Sequence, residues 1–204
     1  MKTSTNQRES NSGSLGGELK SIVKTLAACL GILWALELTD LLLLDGLLDG
    51  FGIRPREAFG LIGVLTWPLL HGGVAHLLSN TLALLLFGTL VLMWGRREFF
   101  AVSLISTIVG GLGVWLVGAS GSLHIGASGV CFGYFGYLLA RGFYERKFGS
   151  VVLSLVIGVL FGGTLAGAVP GLSMPGISWE GHLFGLLGGV LVARRLKNNT
   201  KREG

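Results

Sequence analysis

Six apolar segments, separated by polar or charged connections, constrain the fold of this chain more than any other feature of its sequence. A run of about 20 apolar residues is long enough to cross the hydrocarbon core of a bilayer as a helix. We therefore predict six membrane spans, at about residues 21–44, 75–94, 99–117, 128–140, 151–169 and 182–193. The fourth and sixth segments are markedly short for a span.

The composition agrees with a membrane protein rather than a soluble one. Charged residues make up 13% of the chain, whereas a typical soluble domain carries about one-quarter. The 35 glycines among 204 residues are typical of membrane helices, which pack closely where side chains are small. We predict an all-α membrane protein built as a six-transmembrane-helix bundle.

The distribution of basic residues predicts how the chain is oriented. The chain contains 16 lysines and arginines. In a six-span chain, all of them except Arg54 and Arg56 fall on one side of the membrane. Because basic residues stay on the cytoplasmic side, both termini are predicted to be cytoplasmic, in an integral multi-pass protein of the plasma (inner) membrane. The same distribution explains the net charge of +5 without a nucleic-acid partner. The sequence gives no sign of a cofactor.

Three regions follow from these patterns. We predict a disordered cytoplasmic tail over residues 1–20, a six-helix membrane domain over residues 21–196 and a basic cytoplasmic tail over residues 197–204. Residues 45–74, between the first two spans, mix glycine and proline with large apolar side chains, and we expect an interfacial, partly embedded element there. Tryptophans near predicted span ends are expected in an aromatic belt. They are Trp67, Trp94, Trp115 and Trp179.

Polar residues meet at one face of the predicted bundle. His76, Ser128 and His182 begin the second, fourth and sixth spans, all at the outer side. Ser128 precedes Arg141, and His182 precedes Arg194, by nearly the same number of residues. At about 1.5 Å per helical residue, both side chains should lie at matching depth, about 10 Å below the outer surface of a hydrocarbon core about 30 Å thick.

Glycine spacing predicts that these two short spans touch. Gly129 and Gly133 follow the serine, and Gly185 and Gly189 follow the histidine. Glycines four residues apart leave one helix face bare, so two backbones can approach closely. The serine hydroxyl and the imidazole would then come within hydrogen-bonding reach.

Such a pair can carry nucleophilic catalysis. A neutral histidine can take the proton of a serine hydroxyl, and donors must then stabilise the oxyanion of the tetrahedral intermediate. The Ser128 N–H at a helix start and the side chains of His76 and Asn80, one turn apart, are the candidate donors. Because Glu180 is expected to face water, we predict a dyad rather than a triad.

Three motifs at these positions resemble the signatures of one family. They are Gly126-Ala-Ser-Gly129, His76-Leu-Leu-Ser-Asn80 and Glu180-Gly-His-Leu-Phe-Gly185. In order and spacing they are similar to those of the rhomboid intramembrane serine proteases, over about residues 20–196. The resemblance implies a six-helix rhomboid-like core, a Ser128–His182 dyad and an oxyanion site that includes His76, Asn80 and Gly126. It also implies hydrolysis of peptide bonds in or near the membrane span of single-span or other transmembrane protein substrates.

The chain departs from that family's pattern at two places. Well-known bacterial members carry tyrosine four residues after the serine, where this chain has Phe132, so the ring can support the imidazole but offers no phenol. No Trp-Arg pair is present in the first long connection. Phe132 and Trp179 are candidates for a substrate gate. The connections at 118–127 and 170–180 are expected to line or cap a polar cavity that admits water.

Other interpretations remain open at this stage. A serine at a helix start is commonly an N-cap, and the chain could be a non-catalytic member of the same fold that binds membrane segments, or a small transporter with a polar site. His71 and His124 are assigned to loop structure. The spacing of the four histidines fits no metal motif, and we predict no metal site.

Overall fold

The structure, a computed structural model, describes the backbone of residues 3–174 and 176–200 and the side chains of residues 15–174 and 176–195. Over these residues the chain folds into helices joined by short connections. One isolated antiparallel bridge joins Ile53 to His124. The all-α class is confirmed.

Eight α-helices follow one another along the described part of the chain. They are α1 (Thr3–Thr39), α2 (Gly60–Thr66), α3 (Val74–Ala83), α4 (Thr89–Leu92), α5 (Arg96–Val117), α6 (Ser128–Glu145), α7 (Phe148–Phe161) and α8 (Trp179–Thr200). Wider π-type turns cover Asp40–Leu44 and Leu84–Gly88, and tighter 3-10 turns cover Leu48–Phe51, Trp67–Leu69 and Gly162–Ala168. The turn at Leu84–Gly88 joins α3 to α4 in one continuous helix, Val74–Leu92.

Within the residues that the structure describes, four helical stretches are long and apolar enough to cross a membrane. They are Leu15–Leu44, Val74–Leu92, Arg96–Val117 and Phe148–Ala168, and they match the first, second, third and fifth predicted spans. The chain is therefore a multi-pass membrane protein by the length and composition of its helices. The fourth and sixth predicted spans correspond to α6 and α8, and the count of six stays a prediction.

The three regions predicted from the sequence stay predictions. The helix α1 begins at Thr3 and runs without interruption into the first span. Good helix formers such as Glu18, Leu19 and Lys20 continue the helix out of the span. At the other end, α8 continues to Thr200. The last part of the predicted basic tail, residues 201–204, lies outside the described residues.

The connection at residues 45–74 is folded onto α5 and not extended. The short helix α2 packs its glycine face inward, and a Cβ at Gly111 of α5 would lie 2.9 Å from the Val64 backbone. The Arg56 guanidinium donates hydrogen bonds to the Leu116 carbonyl at 3.0 Å and to Ser120 Oγ at 2.6 Å. Its depth in the bilayer stays a prediction.

The core lies around α6, whose glycines let neighbouring helices pack closely against it. Tyr134, Phe135, Tyr137 and Leu138 are all fully buried. A Cβ at Gly185 or Gly189 would overlap the backbone carbonyl of Gly129 or Gly133 respectively. The predicted close packing of the two glycine faces, one on α6 and one on α8, is confirmed. Exposed leucines and valines, by contrast, cover the outward faces of α1 and α7, as lipid contact requires.

Candidate active site

The packing of α6 against α8 brings the predicted serine and histidine together. Ser128 is the first residue of α6 and His182 lies in the first turn of α8. His182 Nε2 is 2.9 Å from Ser128 Oγ, which is a hydrogen-bonding distance. The imidazole is 7% exposed. The two side chains therefore form one pair between two helix N-termini.

The other ring nitrogen of His182 is held by the main chain. Nδ1 lies 3.0 Å from the carbonyl oxygen of Gly167, in the 3-10 turn after α7. A carbonyl oxygen only accepts, so Nδ1 carries the proton and donates it. Nε2 is then left with a free electron pair facing the serine hydroxyl, as a general base requires. A carbonyl in an irregular turn has no sequence signal, so this contact was missed.

An aromatic ring fixes the plane of the imidazole. Phe132, one helical turn after Ser128, stacks on His182 with ring centroids 4.0 Å apart and planes 9° apart. At the edge of this stack, a Cβ at Gly167 would lie 3.3 Å from His182 Nδ1 and 3.4 Å from the tip of Phe132. The predicted support of the imidazole by Phe132 is confirmed, and its proposed gate function stays a prediction.

The predicted oxyanion donors face a small space beside Gly126. A Cβ placed on Gly126 would lie 2.6 Å from His76 Nε2 and 3.5 Å from Asn80 Nδ2. Asn80 is 3% exposed, and its Nδ2 has no hydrogen-bond partner among the described residues. Buried amide donors are nearly always paired. An unpaired one here leaves a donor free for a group that enters the site.

Gly126 does not present its own N–H to this space, because that N–H donates to the Trp67 carbonyl at 2.8 Å. Its φ of 115° is a conformation that side chains disfavour. The predicted part of Gly126 in the oxyanion site stays a prediction. The Ser128 N–H, at the first position of α6, belongs to the helix-end amides that lack an intrahelical partner.

Trp67 does not belong to the predicted aromatic belt at the membrane surface, because it is buried. Its side chain is 1% exposed and its indole N–H donates to the Thr107 carbonyl at 3.2 Å. A Cβ at Gly181 would lie 3.3 Å from this ring. Trp67 is therefore buried below the site, because three glycine-bearing helices leave a gap that only a large ring fills.

His71 has a role that its assignment to loop structure did not foresee. Nε2 of this buried residue accepts a hydrogen bond from the Ala127 N–H at 3.3 Å, one residue before Ser128. Its ring lies 5.2 Å from that of His76. Burial, with a smaller effect of His76, lowers the pKa of His71 to about 4. The neutral ring therefore stays an acceptor for the start of α6.

Glu180 is buried, which differs from the sequence prediction. Glu180 was expected to face water, but it is 7% exposed and accepts a hydrogen bond from Ser178 Oγ at 3.2 Å. The same hydroxyl accepts from the Gly181 N–H at 3.1 Å and lies 2.8 Å from His124 Nδ1. Glu180 is buried because it completes this cap at the start of α8. No contact joins it to the imidazole of His182.

His124 lies in a connection between helices, as predicted, and its contacts join that connection to Ile53 and to Ser178. It pairs with Ile53 in the isolated bridge and reaches Ser178 across the site. Burial lowers the pKa of His124, so a neutral ring spans the gap between the connection at 118–127 and the start of α8. Trp179, the other gate candidate, is partly exposed at the first residue of α8.

The fold and this site define a multi-pass membrane protein in which a serine and a histidine meet between central helices. A family model for the Rhomboid domain matches residues 58–199. An uncharacterized protein of Mycobacterium tuberculosis, Rv1337, is 42% identical over 175 residues, which are 83% of this chain and 72% of that protein. The Bacillus subtilis protein YdcA, provisionally named a rhomboid protease, is 30% identical over 177 residues and 85% of each chain.

A further Bacillus subtilis relative, rhomboid protease GluP, is 33% identical over 140 residues, or 65% of this chain and 25% of that longer protein. The chain belongs to the rhomboid family of intramembrane proteases.

Proposed function

We propose that the protein is an intramembrane serine endopeptidase that hydrolyses peptide bonds in or near transmembrane segments of membrane-protein substrates. Ser128 Oγ attacks the scissile carbonyl carbon while His182 Nε2 takes the hydroxyl proton. The protonated imidazole then gives that proton to the leaving amine, and a water molecule releases the acyl group by the same route. The catalytic dyad opens to the extracytoplasmic face.

The chain of contacts from Ser128 Oγ through His182 to the Gly167 carbonyl carries this proposal. A serine that only caps a helix occupies the N-cap position, but the N-cap residue of α6 is Ala127, and Ser128 is the first residue inside the helix. A histidine that only fills a core would not need both ring nitrogens aligned between a hydroxyl and a carbonyl. The arrangement supports a nucleophile with an oriented general base.

The oxyanion forms beside Gly126 in this proposal. Asn80 Nδ2, His76 Nε2 and the Ser128 N–H are the donors that stabilise it. For that role His76 carries its proton on Nε2. The burial of Asn80 strengthens the bond from its amide, because little water competes there.

Ser128→Ala and His182→Ala are the primary tests of this mechanism. The detergent-solubilised protein should cleave a single-span substrate that carries helix-weakening residues near its outer end, and each variant should abolish cleavage. A serine-reactive fluorophosphonate probe should label the wild type and not Ser128→Ala. Ser120→Ala, on an exposed hydroxyl, serves as the matched control and should keep both signals.

Cleavage that continues undiminished in Ser128→Ala would refute the dyad. A folded, substrate-binding protein without any cleavage or labelling would instead indicate the non-catalytic alternative. Retained thermal melting of both variants shows that lost activity is not lost folding.

A further inference from the structure

A groove between α1 and α5 is separate from the candidate active site. Its lower part has a volume of ≈ 570 Å³ and is lined at one end by Lys20, Lys24 and Arg96. Above these cations the walls become apolar, with Ala28, Cys29 and Ile32 on α1 and Phe100 on α5. None of the described residues that line this part is acidic. The groove is thus cationic at one end and apolar at the other.

The apolar end continues into a second cavity. That cavity, of ≈ 230 Å³, shares Cys29, Ile32 and Phe100 with the first and extends toward Ala127 and Val130 at the start of α6. Its lining is almost entirely hydrocarbon, apart from a few hydroxyls such as that of Ser103. Because the two cavities share these three lining residues, they adjoin, and together they lead from three cations toward the apolar interior.

The chemistry of the lining indicates the occupant. The walls of the upper cavity are almost entirely hydrocarbon, which suits part of one flexible acyl chain. The bare charges at the other end require an anion to accompany that chain.

We propose that the groove between α1 and α5 binds one anionic glycerophospholipid. Its phosphate lies against Lys20, Lys24 and Arg96, and one acyl chain extends past Cys29 and Ile32 into the upper cavity. Basic side chains at the cytoplasmic ends of helices attract anionic lipids, and these three lie at the end that the charge distribution predicts to be cytoplasmic. This proposal does not depend on the proposed protease mechanism.

Lipid titrations of the purified full-length protein test the proposal. Dioleoylphosphatidylglycerol should raise the melting temperature and remain as a one-to-one adduct in native mass spectrometry. Dioleoylphosphatidylcholine, with the same chains, should do so far less. Inorganic phosphate alone should have no effect, because it lacks the chain. Equal effects of the two lipids, or full stabilisation by phosphate, would overturn the proposal.

Charge variants locate the headgroup. The triple variant K20Q/K24Q/R96Q should lose the preference for the anionic lipid, by about fivefold for each charge and on the order of 100-fold together. The control R97Q/R194Q/R195Q removes the same charge from side chains outside this groove and should keep the preference. An equal loss in both variants would mean attraction by overall charge, which contradicts a specific site.

A blocking variant locates the acyl chain. Ile32→Trp should fill the passage between the two cavities and weaken phosphatidylglycerol binding at least tenfold. Leu38→Trp places the same ring on α1 outside the groove, where the native side chain is 40% exposed, and should bind as the wild type does. Unchanged binding by Ile32→Trp, with the melting temperature of the lipid-free protein unchanged, would also overturn the proposal.

Discussion

At the scale of single residues, Gly126 lies two positions before the serine and directly beside His76 and Asn80, the candidate oxyanion donors. A methyl group there would press on His76 Nε2 at 2.6 Å and would also occupy a conformation with φ of 115°. Gly126→Ala should therefore reduce cleavage by at least a hundredfold and lower stability by about 1 kcal/mol or more. Cleavage kinetics and thermal melting measure the two effects.

The control variant Gly121→Ala separates the loss of cleavage from the loss of stability. Gly121 also has a positive φ, of 78°, but nothing lies within 4 Å of an added Cβ. It should share the loss of stability and keep most of the activity. If both variants lose activity equally, backbone strain alone explains the result and the contact with His76 is not important.

Asn80 provides a second test at this scale. Asn80→Ala should lower kcat by about 10²–10³, as loss of one oxyanion donor does, with little change in KM. Stability should change little, because Nδ2 has no hydrogen-bond partner to lose among the described residues. Steady-state kinetics and melting check this. A variant with full kcat would show that the amide faces empty space during the reaction.

Many residues of the candidate site could be predicted from the sequence, but the groups that orient the His182 imidazole could not. Ser128, His182, His76 and Asn80 are visible because helical spacing and depth can be counted along a sequence. The carbonyl of Gly167 is not visible, since any residue type supplies one and an irregular turn aims it. Glu180 was misjudged for the related reason that its partner, Ser178, is set by the cap geometry of α8.

At the scale of helices, the contact of α6 with α8 sets the distance between the catalytic candidates. A Cβ at Gly185 would overlap the Gly129 carbonyl, so Gly185→Ala should force the helices apart. We expect a stability loss of about 1–3 kcal/mol from overpacking and loss of most cleavage. Gly149→Ala on α7, where nothing lies within 4 Å, should leave both properties near wild type.

Melting curves and fluorophosphonate labelling rates distinguish these two variants. A Gly185→Ala protein that labels at the wild-type rate would show that the dyad tolerates separation of its helices. The glycine spacing predicted this contact because bare faces have few alternatives in a bundle. The start of α1 and the folded connection at 45–74 were less predictable, since propensity and loop packing leave weaker signals than apolar length.

At the scale of the whole molecule, buried histidines outside the spans give stability a pH dependence. The pKa of His71 is lowered to about 4 by burial and by His76, whereas an unfolded histidine has a pKa near about 6.5. Between these values the unfolded chain binds more protons than the folded one, so stability should fall as pH falls from about 6.5 to about 4. Melting temperatures across this range measure the fall.

The variant His71→Asn isolates this contribution. It should flatten the pH dependence in that window, relative to the wild type. Asp49 works in the opposite direction, because burial and the neighbouring Asp40 and Glu37 raise its pKa to about 6. Asp49→Asn should therefore steepen the same curve. Identical curves for wild type and His71→Asn would mean that His71 is protonated as easily in the fold as in water.

The hydrogen bond from His182 Nδ1 to the Gly167 carbonyl has a consequence for how this candidate catalytic pair responds to pH and to substitution. An aspartate in that position would lose its charge in acid and could be deleted by one codon change. An amide oxygen is not titrated at ordinary pH and is present whatever amino acid follows α7. The acceptor that aligns the imidazole is thereby insulated from acidification, and a replacement at position 167 would act through its added Cβ, which would lie 3.3 Å from Nδ1.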